Sequence, residues 1–107
     1  MALVSINEAK QYLRVDSSDE DAMIRTLIAA AESLTKDVGR LSEEQWQEVI
    51  AAPAEADPAD LVALRSVLKV STMFALAYLF EHREEADHHD LTISMRNLLF
   101  SVREGVL

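Results

Sequence analysis

The feature that most constrains the fold is a long apolar segment in the second half of the chain. Residues 68–80 read LKVSTMFALAYLF, and their only polar side-chain groups are one lysine, two hydroxyl groups and one phenol. The helical pattern around this segment covers about 59–83, which is on the order of 35 Å at the rise of an α-helix. Since a helix that is apolar on nearly every side has to be covered, the sequence predicts one long central hydrophobic helix with the other elements packed around it.

The composition favours an all-α protein. The chain has 107 residues, of which 50% are hydrophobic and 6% aromatic, and only 2 are glycine. Scarce glycine and aromatic residues disfavour sheets with tight turns, whereas abundant alanine and leucine favour helices. A chain of this length suits one domain with one core. We therefore predict a single helical domain over residues 1–107, built as a small bundle of four to five helices.

The charge is strongly acidic and argues against tight binding of nucleic acids. The formal net charge is −9, from 19 acidic and 10 basic residues. Residues 1–60 alone hold 13 of the acids and 5 of the bases. Because such a surface repels phosphate backbones, we expect no tight binding of DNA. Passage of DNA past the protein without binding is compatible with this charge.

Other classes are disfavoured by what the sequence lacks. There is no cysteine, which excludes disulfides, thiolate zinc sites and cysteine nucleophiles. The start, MALVSINEAK, has no basic region followed by an apolar run, so we predict no signal peptide. Residues 61–80 are long enough to span a bilayer, but they contain Arg65 and Lys69. A buried helix, without a membrane, is the better interpretation.

Capping patterns predict where the first helices begin. Ser5 and Glu8 have the spacing of a capping box, so a short helix is expected over about 6–13. Ser18 stands three residues before Asp21 within an acidic run, and a helix N-terminus favours both a serine cap and negative charge. A second, longer helix is therefore expected to start there.

The second helix should be amphipathic and is followed by a third, short one. Gly39 is expected to stop the second helix, and Ser42 with Gln45 repeats the capping pattern for the third. Trp46 lies on the apolar side of that short helix, where core packing and an interface role are both open. The apolar stripe of the second helix has a 3, 4 spacing and consists of Met23, Ile24, Leu27, Ile28, Ala31 and Leu34.

Two further segments complete the expected bundle. Residues 51–58, AAPAEADP, contain both prolines and predict a flexible loop. Asp57 and Pro58 are expected to be the N-cap and the first residue of the long helix. A last helix is expected after EADHHD, with inward positions at Leu91, Met95, Leu98, Leu99 and Val102.

Patterns for catalysis or cofactor binding are absent or weak. Two glycines cannot build a loop that cradles phosphate, and no serine stands in the setting of a hydrolase nucleophile. One polar stretch contains competent metal ligands, but its spacing matches no known zinc motif. We interpret it as a solvated helix end and predict no enzyme activity, no cofactor and no metal. The ligands of the weaker metal hypothesis are His82, Glu85, His88, His89 and Asp90.

Two segments resemble a known family. They are LVSINEAKQYLRVDSSDEDAMIRTLIAAAESLTKDVG near the start and FALAYLFEHREEA at the end of the long helix. Both resemble the head-tail connector (adaptor) proteins of long-tailed bacteriophages and prophages, over roughly residues 3–39 and 60–100. One departure is LTIS at residues 91–94, where relatives have a turn of the Pro-Phe-Gly type.

The resemblance implies a structural virion protein. Such a subunit forms a ring of about twelve copies between the portal protein and a tail-completion or stopper protein, and DNA passes through the lumen. It implies residence at the head-tail junction of the virion, with assembly in the bacterial cytoplasm. Under this hypothesis, the candidate partner or subunit contacts are Trp46, Lys69, Arg96, Phe100 and Arg103.

Two alternatives belong to other classes. The first is a non-viral helical adaptor or regulator that dimerises through apolar helix faces. The second is a small metal-dependent enzyme using the histidine-rich stretch. Ring assembly with a portal protein separates the connector from the adaptor, and metal analysis of the purified protein tests the enzyme.

Overall fold

The long apolar segment folds into the central helix of a bundle. The computed structural model describes residues 3–51, 54–82 and 89–103, and within these ranges it contains helices and no strand. The predicted all-α class is therefore confirmed. The described helices are α1 (Ile6–Leu13), α2 (Asp21–Val38), α3 (Glu43–Ile50), α4 (Ala59–Glu81), α5 (His89–Leu98) and the four-residue α6 (Phe100–Arg103).

Helix α4 organises the core. It packs most extensively against α2 and also contacts α1, α3 and α5. The expectation that the other elements pack around one long central helix is thus confirmed. The helix ends at Glu81, two residues before the predicted end, and residue 83 lies outside the described part. Fully buried core side chains include Ile24 and Ala31 of α2, Leu68, Ala75 and Leu76 of α4, and Leu91 and Met95 of α5.

A cluster of three hydroxyl groups lies buried between α2 and α4. Thr72 Oγ1 donates to the Leu68 carbonyl oxygen at 2.8 Å and lies 3.1 Å from Thr35 Oγ1, which in turn lies 3.3 Å from Ser71 Oγ. All three side chains are fully buried. Ser71 and Thr72, two of the few polar residues of the apolar segment, are therefore accommodated without contact with water, because their hydroxyls bond across the helix interface.

The helix starts agree with the capping patterns in part. Ser5 with Glu8 and Ser42 with Gln45 both form complete capping boxes, as predicted. Helix α2 does begin at Asp21, but its N-cap is Glu20 and no side chain caps it.

The end of α2 and the start of α4 also differ in detail from the predictions. Pro58 is the N-cap of α4, one residue later than expected. Gly39 follows the last residue of α2, yet its φ is −73°, and Arg40 takes the left-handed conformation with φ 56°. A Cβ at Gly39 would lie 2.9 Å from the Thr35 carbonyl oxygen and 3.7 Å from Val102 Cγ1. Close packing, not a positive φ, therefore requires this glycine.

The C-terminal segment is broken where one helix was expected. Leu91, Met95 and Leu99 are buried as predicted, but Leu98 is 40% exposed. Leu99 continues the spacing of four residues from Leu91 and Met95, and its N–H still donates to the Met95 carbonyl oxygen at 2.8 Å. On this helical path Leu98 lies about 100° from Leu99 around the helix axis. The inward position predicted for Leu98 is wrong for that reason.

By length and composition alone, α4 is the one helix of the described ranges that could cross a membrane. Here it is the core helix of the bundle, in contact with four other helices. Both of its internal cations form ion pairs, Arg65 with Asp57 and Lys69 with Glu8. These contacts account for α4 without a bilayer.

Candidate assembly surfaces

One side of α4 is left uncovered by the other described helices. Val62, Val70 and Phe74 are 49%, 58% and 41% exposed, and with Ser66 they follow a spacing of four residues. Such residues share one helix face, about 18 Å long at 1.5 Å per residue. The Ser66 hydroxyl donates to the Val62 carbonyl oxygen, which leaves the face apolar. We call Val62, Ser66, Val70 and Phe74 the α4 stripe.

A second exposed surface combines apolar and basic side chains at the C-terminal end of the described chain. Phe100 is 60% and Ile93 is 43% exposed. They line a shallow cavity of about 250 Å³ together with Arg96, Asn97 and Arg103. We call these five residues the Phe100 patch.

A third surface is a groove between α3, α4 and α6 with a volume of about 480 Å³. Its apolar walls are half-buried, whereas its polar rim is exposed and includes the carboxylates of Glu48 and Asp60. We call it the acidic groove. It is lined by Leu41, Gln45, Glu48, Pro58, Asp60, Leu61, Leu64 and Val102.

The candidate contact residues separate into two groups. Arg96, Phe100 and Arg103 come together in the Phe100 patch. Trp46 is buried in the core, 9% exposed, and Lys69 forms an ion pair with Glu8 inside the subunit. Their assignments as partner contacts stay predictions, with the Phe100 patch the more accessible of the two groups.

Arg103 and Lys69 have structural roles that are visible in the subunit. Arg103 Nη1 donates to the Val38 carbonyl oxygen at 2.9 Å, where a cation also favours the C-terminal end of the α2 dipole. Lys69 of α4 reaches Glu8 of α1, as expected of a long side chain that extends to an acidic neighbour. The hydrogen bond from Lys69 is the main reason why the pKa of Glu8 is lowered.

The described part of the predicted loop is fastened to α4 by Arg65. Its Nη1 lies 3.2 Å from Asp57 Oδ2, and its Nε donates to the Val49 carbonyl oxygen at 3.0 Å. Asp57 also accepts the Ala54 N–H at 2.9 Å. That backbone hydrogen bond, followed by the Arg65 guanidinium, holds the pKa of Asp57 below its ordinary value. The contacts fix one edge of the acidic groove, where Pro58 lies.

Sequence reasoning missed the α4 stripe and the acidic groove. Val62, Val70 and Phe74 of the stripe do follow a helical spacing that is visible in the sequence. Because α4 is apolar on its other sides as well, this spacing does not show which face stays exposed. The groove joins residues from four separate segments of the chain, so no local sequence pattern predicts it.

The metal hypothesis is only partly covered by the structure. Over the described ranges, no three His, Cys, Asp or Glu side chains gather in a way that would hold a metal ion. His82 instead stacks on Tyr78, with ring centroids 4.1 Å apart, and its Nδ1–H donates to the Tyr78 carbonyl oxygen. Glu85 and His88 lie outside the described residues, so the absence of a metal stays a prediction.

A comparison with protein families identifies the class of this bundle. The family model described as "Phage gp6-like head-tail connector protein" matches residues 4–106. The chain belongs to this head-tail connector family. The resemblance noted in the sequence is thereby confirmed, and it extends over the segment around Trp46 as well. Searches of curated proteins and of solved structures gave no match. The family is a structural one of phage virions, and it implies contact with head and tail components at the head-tail junction.

Proposed function

We propose that this connector protein forms a closed ring of about twelve subunits between the portal and the tail. The family match over residues 4–106 carries this proposal. On one side the ring binds the portal protein, and on the other a tail-completion or stopper protein. The subunits assemble in the cytoplasm of the bacterial host, and DNA passes through the lumen of the finished ring.

The surfaces of the subunit support assembly. The α4 stripe exposes an apolar face about 18 Å long, and aligned apolar residues of this kind commonly mark interaction sites. Neighbouring subunits shield this face in the ring. The chain's own helices cover the opposite side of α4, where Leu68 and Leu76 are fully buried.

The acidic charge supports passage of DNA without binding. With a net charge of −9, the subunit lacks the cation excess that phosphate contacts require. A lumen built from such subunits would not hold the DNA that moves through it.

Mass measurement tests the proposal. Native mass spectrometry and light scattering are performed over a wide concentration range, first on the protein alone and then with a portal protein from the same genome. We expect a discrete species of about a dozen copies, either alone or on the portal. A stable dimer that ignores the portal would contradict the ring and favour the dimeric adaptor.

A further inference from the structure

A ring with head-to-tail contacts needs two different surfaces on each subunit. In such a heterologous contact, one patch of a copy binds a distinct patch of the next copy. The Phe100 patch and the acidic groove are two such surfaces. One is an exposed aromatic side chain with a cation beside it, and the other is an apolar recess with acidic side chains on its rim.

The two surfaces face different directions on the subunit. Val102 of α6 lines the acidic groove, whereas Phe100 lines the other cavity. Two positions along an α-helix are about 200° apart around its axis. Phe100 therefore points away from the groove of its own subunit and is available to the groove of another copy.

The Phe100 patch and the acidic groove carry opposite charges, although whole subunits repel one another. Each subunit carries a net charge of −9, so a contact between copies needs a local pairing of opposite signs. Arg96 is exposed, and so are Glu48 and Asp60. Across the described ranges none of these three side chains forms an ion pair.

The shapes also fit. The groove, about 480 Å³ in volume, has the size typical of recesses that bind compact apolar groups. Its half-buried walls include Leu61 and Leu64, which suit an aromatic ring. Phe100 is the most exposed of the large hydrophobic residues in the described chain, at 60%. Burial of a projecting aromatic side chain in a desolvated pocket is the usual form of an interface anchor.

We propose that Phe100 of one subunit inserts into the acidic groove of the next, against Leu61 and Leu64, with Arg96 facing Glu48 and Asp60. The proposal rests on the ring proposed above and names the surfaces that join its subunits. The occupant of the groove is a second copy of this chain.

Disulfide trapping provides the first test. The chain has no cysteine, so Phe100→Cys combined with Leu61→Cys introduces the only two thiols. Oxidation of the assembled protein, alone or on the portal, should give a ladder of covalently linked subunits, because a disulfide requires Cβ atoms about 4 Å apart. Tyr12→Cys with Leu61→Cys is the matched control, since Tyr12 is also exposed but lies on α1, and should give no ladder.

Charge reversal provides the second test. Arg96→Glu should raise the protein concentration needed for half assembly about tenfold or more, which corresponds to the loss of one charge pair. Adding Asp60→Arg to this variant should restore much of the assembly. Arg25→Glu is the control, because it makes the same charge change on an exposed position of α2. Circular dichroism should show the same helix content for every variant.

The outcomes separate the contact from the ring. If the wild-type protein assembles but neither the ladder nor the charge rescue is seen, the proposed contact is wrong and the ring stands. If Arg96→Glu leaves the ring intact but abolishes its attachment to the portal, the patch binds the portal and the contact between copies is again wrong. A wild-type chain that never assembles, alone or with the portal, overturns both proposals.

Discussion

At the scale of single residues, the three hydroxyls between α2 and α4 are the least expected feature of the core. Thr35, Ser71 and Thr72 occupy an interface that is otherwise apolar. Buried hydroxyls are costly unless they are hydrogen-bonded, and here each has a partner. The cluster therefore fixes how α2 and α4 align, since a shift of either helix would break these bonds.

We predict that Thr35→Val destabilises the protein by about 1–3 kcal/mol, because the fully buried Ser71 hydroxyl then loses its partner. Urea unfolding followed by circular dichroism measures the change. Thr26→Val is the control, since this exposed threonine on the same helix bonds only to a local carbonyl, and it should cost less than about 0.5 kcal/mol. Equal stabilities of Thr35→Val and wild type would show that the cluster contributes nothing.

The pair between Glu8 and Lys69 gives a prediction about pH. The lowered pKa of Glu8 in the folded state means that its carboxylate stabilises the fold at pH values above its usual 4.5. This contribution is lost as the pH falls through the lower, folded pKa. Glu8→Gln keeps a hydrogen-bond acceptor for the Ser5 cap but removes the charge. The variant should be less stable than wild type at pH 7, by at most about 1 kcal/mol for so exposed a pair.

The difference in stability between Glu8→Gln and wild type should shrink toward zero below pH 4.5. A difference that does not depend on pH would show that the charge of Glu8 does not stabilise the fold.

At the scale of helices, local signals and tertiary contacts explain what could be predicted. The first residues of α1 and α3 followed from capping boxes, which involve side chains only three positions apart. The free side of α4 could not be predicted, because apolar residues surround the whole helix and its neighbours decide which of them are covered. The burial of Ser71 could not be predicted either, because its hydrogen-bond partner Thr35 lies 36 residues away in the sequence.

The candidate contacts show the same limit. Arg96 and Phe100 were named as candidate contacts on the last helix under the connector hypothesis, and the structure shows that both side chains are exposed. Their counterpart, the acidic groove, was missed because Leu41, Leu61 and Val102 meet only after folding. The family hypothesis thus pointed to residues of the exposed patch, whereas nothing in the sequence pointed to the groove.

Arg65 joins three elements, and its replacement should loosen all of them. It binds Asp57 and the carbonyl oxygens of Glu48 and Val49, so it ties α3 and the loop to α4. We predict that Arg65→Met lowers the free energy of unfolding by about 1–3 kcal/mol, as expected for charge-assisted hydrogen bonds at a partly buried site.

The loop around Asp57 should also become more sensitive to limited proteolysis in this variant. Arg25→Met makes the same change at an exposed position of α2 and should leave both unfolding and proteolysis unchanged. If the two variants melt alike, the Arg65 contacts do not hold the loop.

At the scale of the whole molecule, α4 serves two purposes on two sides. One side forms the core with α2, and the other is the apolar α4 stripe. Folding of the subunit requires only the first side, whereas the proposed ring also covers the second. Substitutions on the two sides should therefore separate folding from assembly.

We predict that Leu76→Asp disrupts folding, whereas Val70→Asp disrupts only assembly. Leu76 is fully buried, so an aspartate there places an unpaired charge in the core and prevents folding. Val70 is 58% exposed, so Val70→Asp should leave the helix content and melting temperature of the subunit nearly unchanged while it abolishes the ring. Circular dichroism reports folding, and native mass spectrometry reports assembly. Tyr12→Asp, at an exposed site on α1, should disturb neither. A Val70→Asp protein that still assembles like wild type would mean that the α4 stripe faces solvent in the ring, and a soluble, assembled Leu76→Asp protein would overturn the central place of α4 in the core.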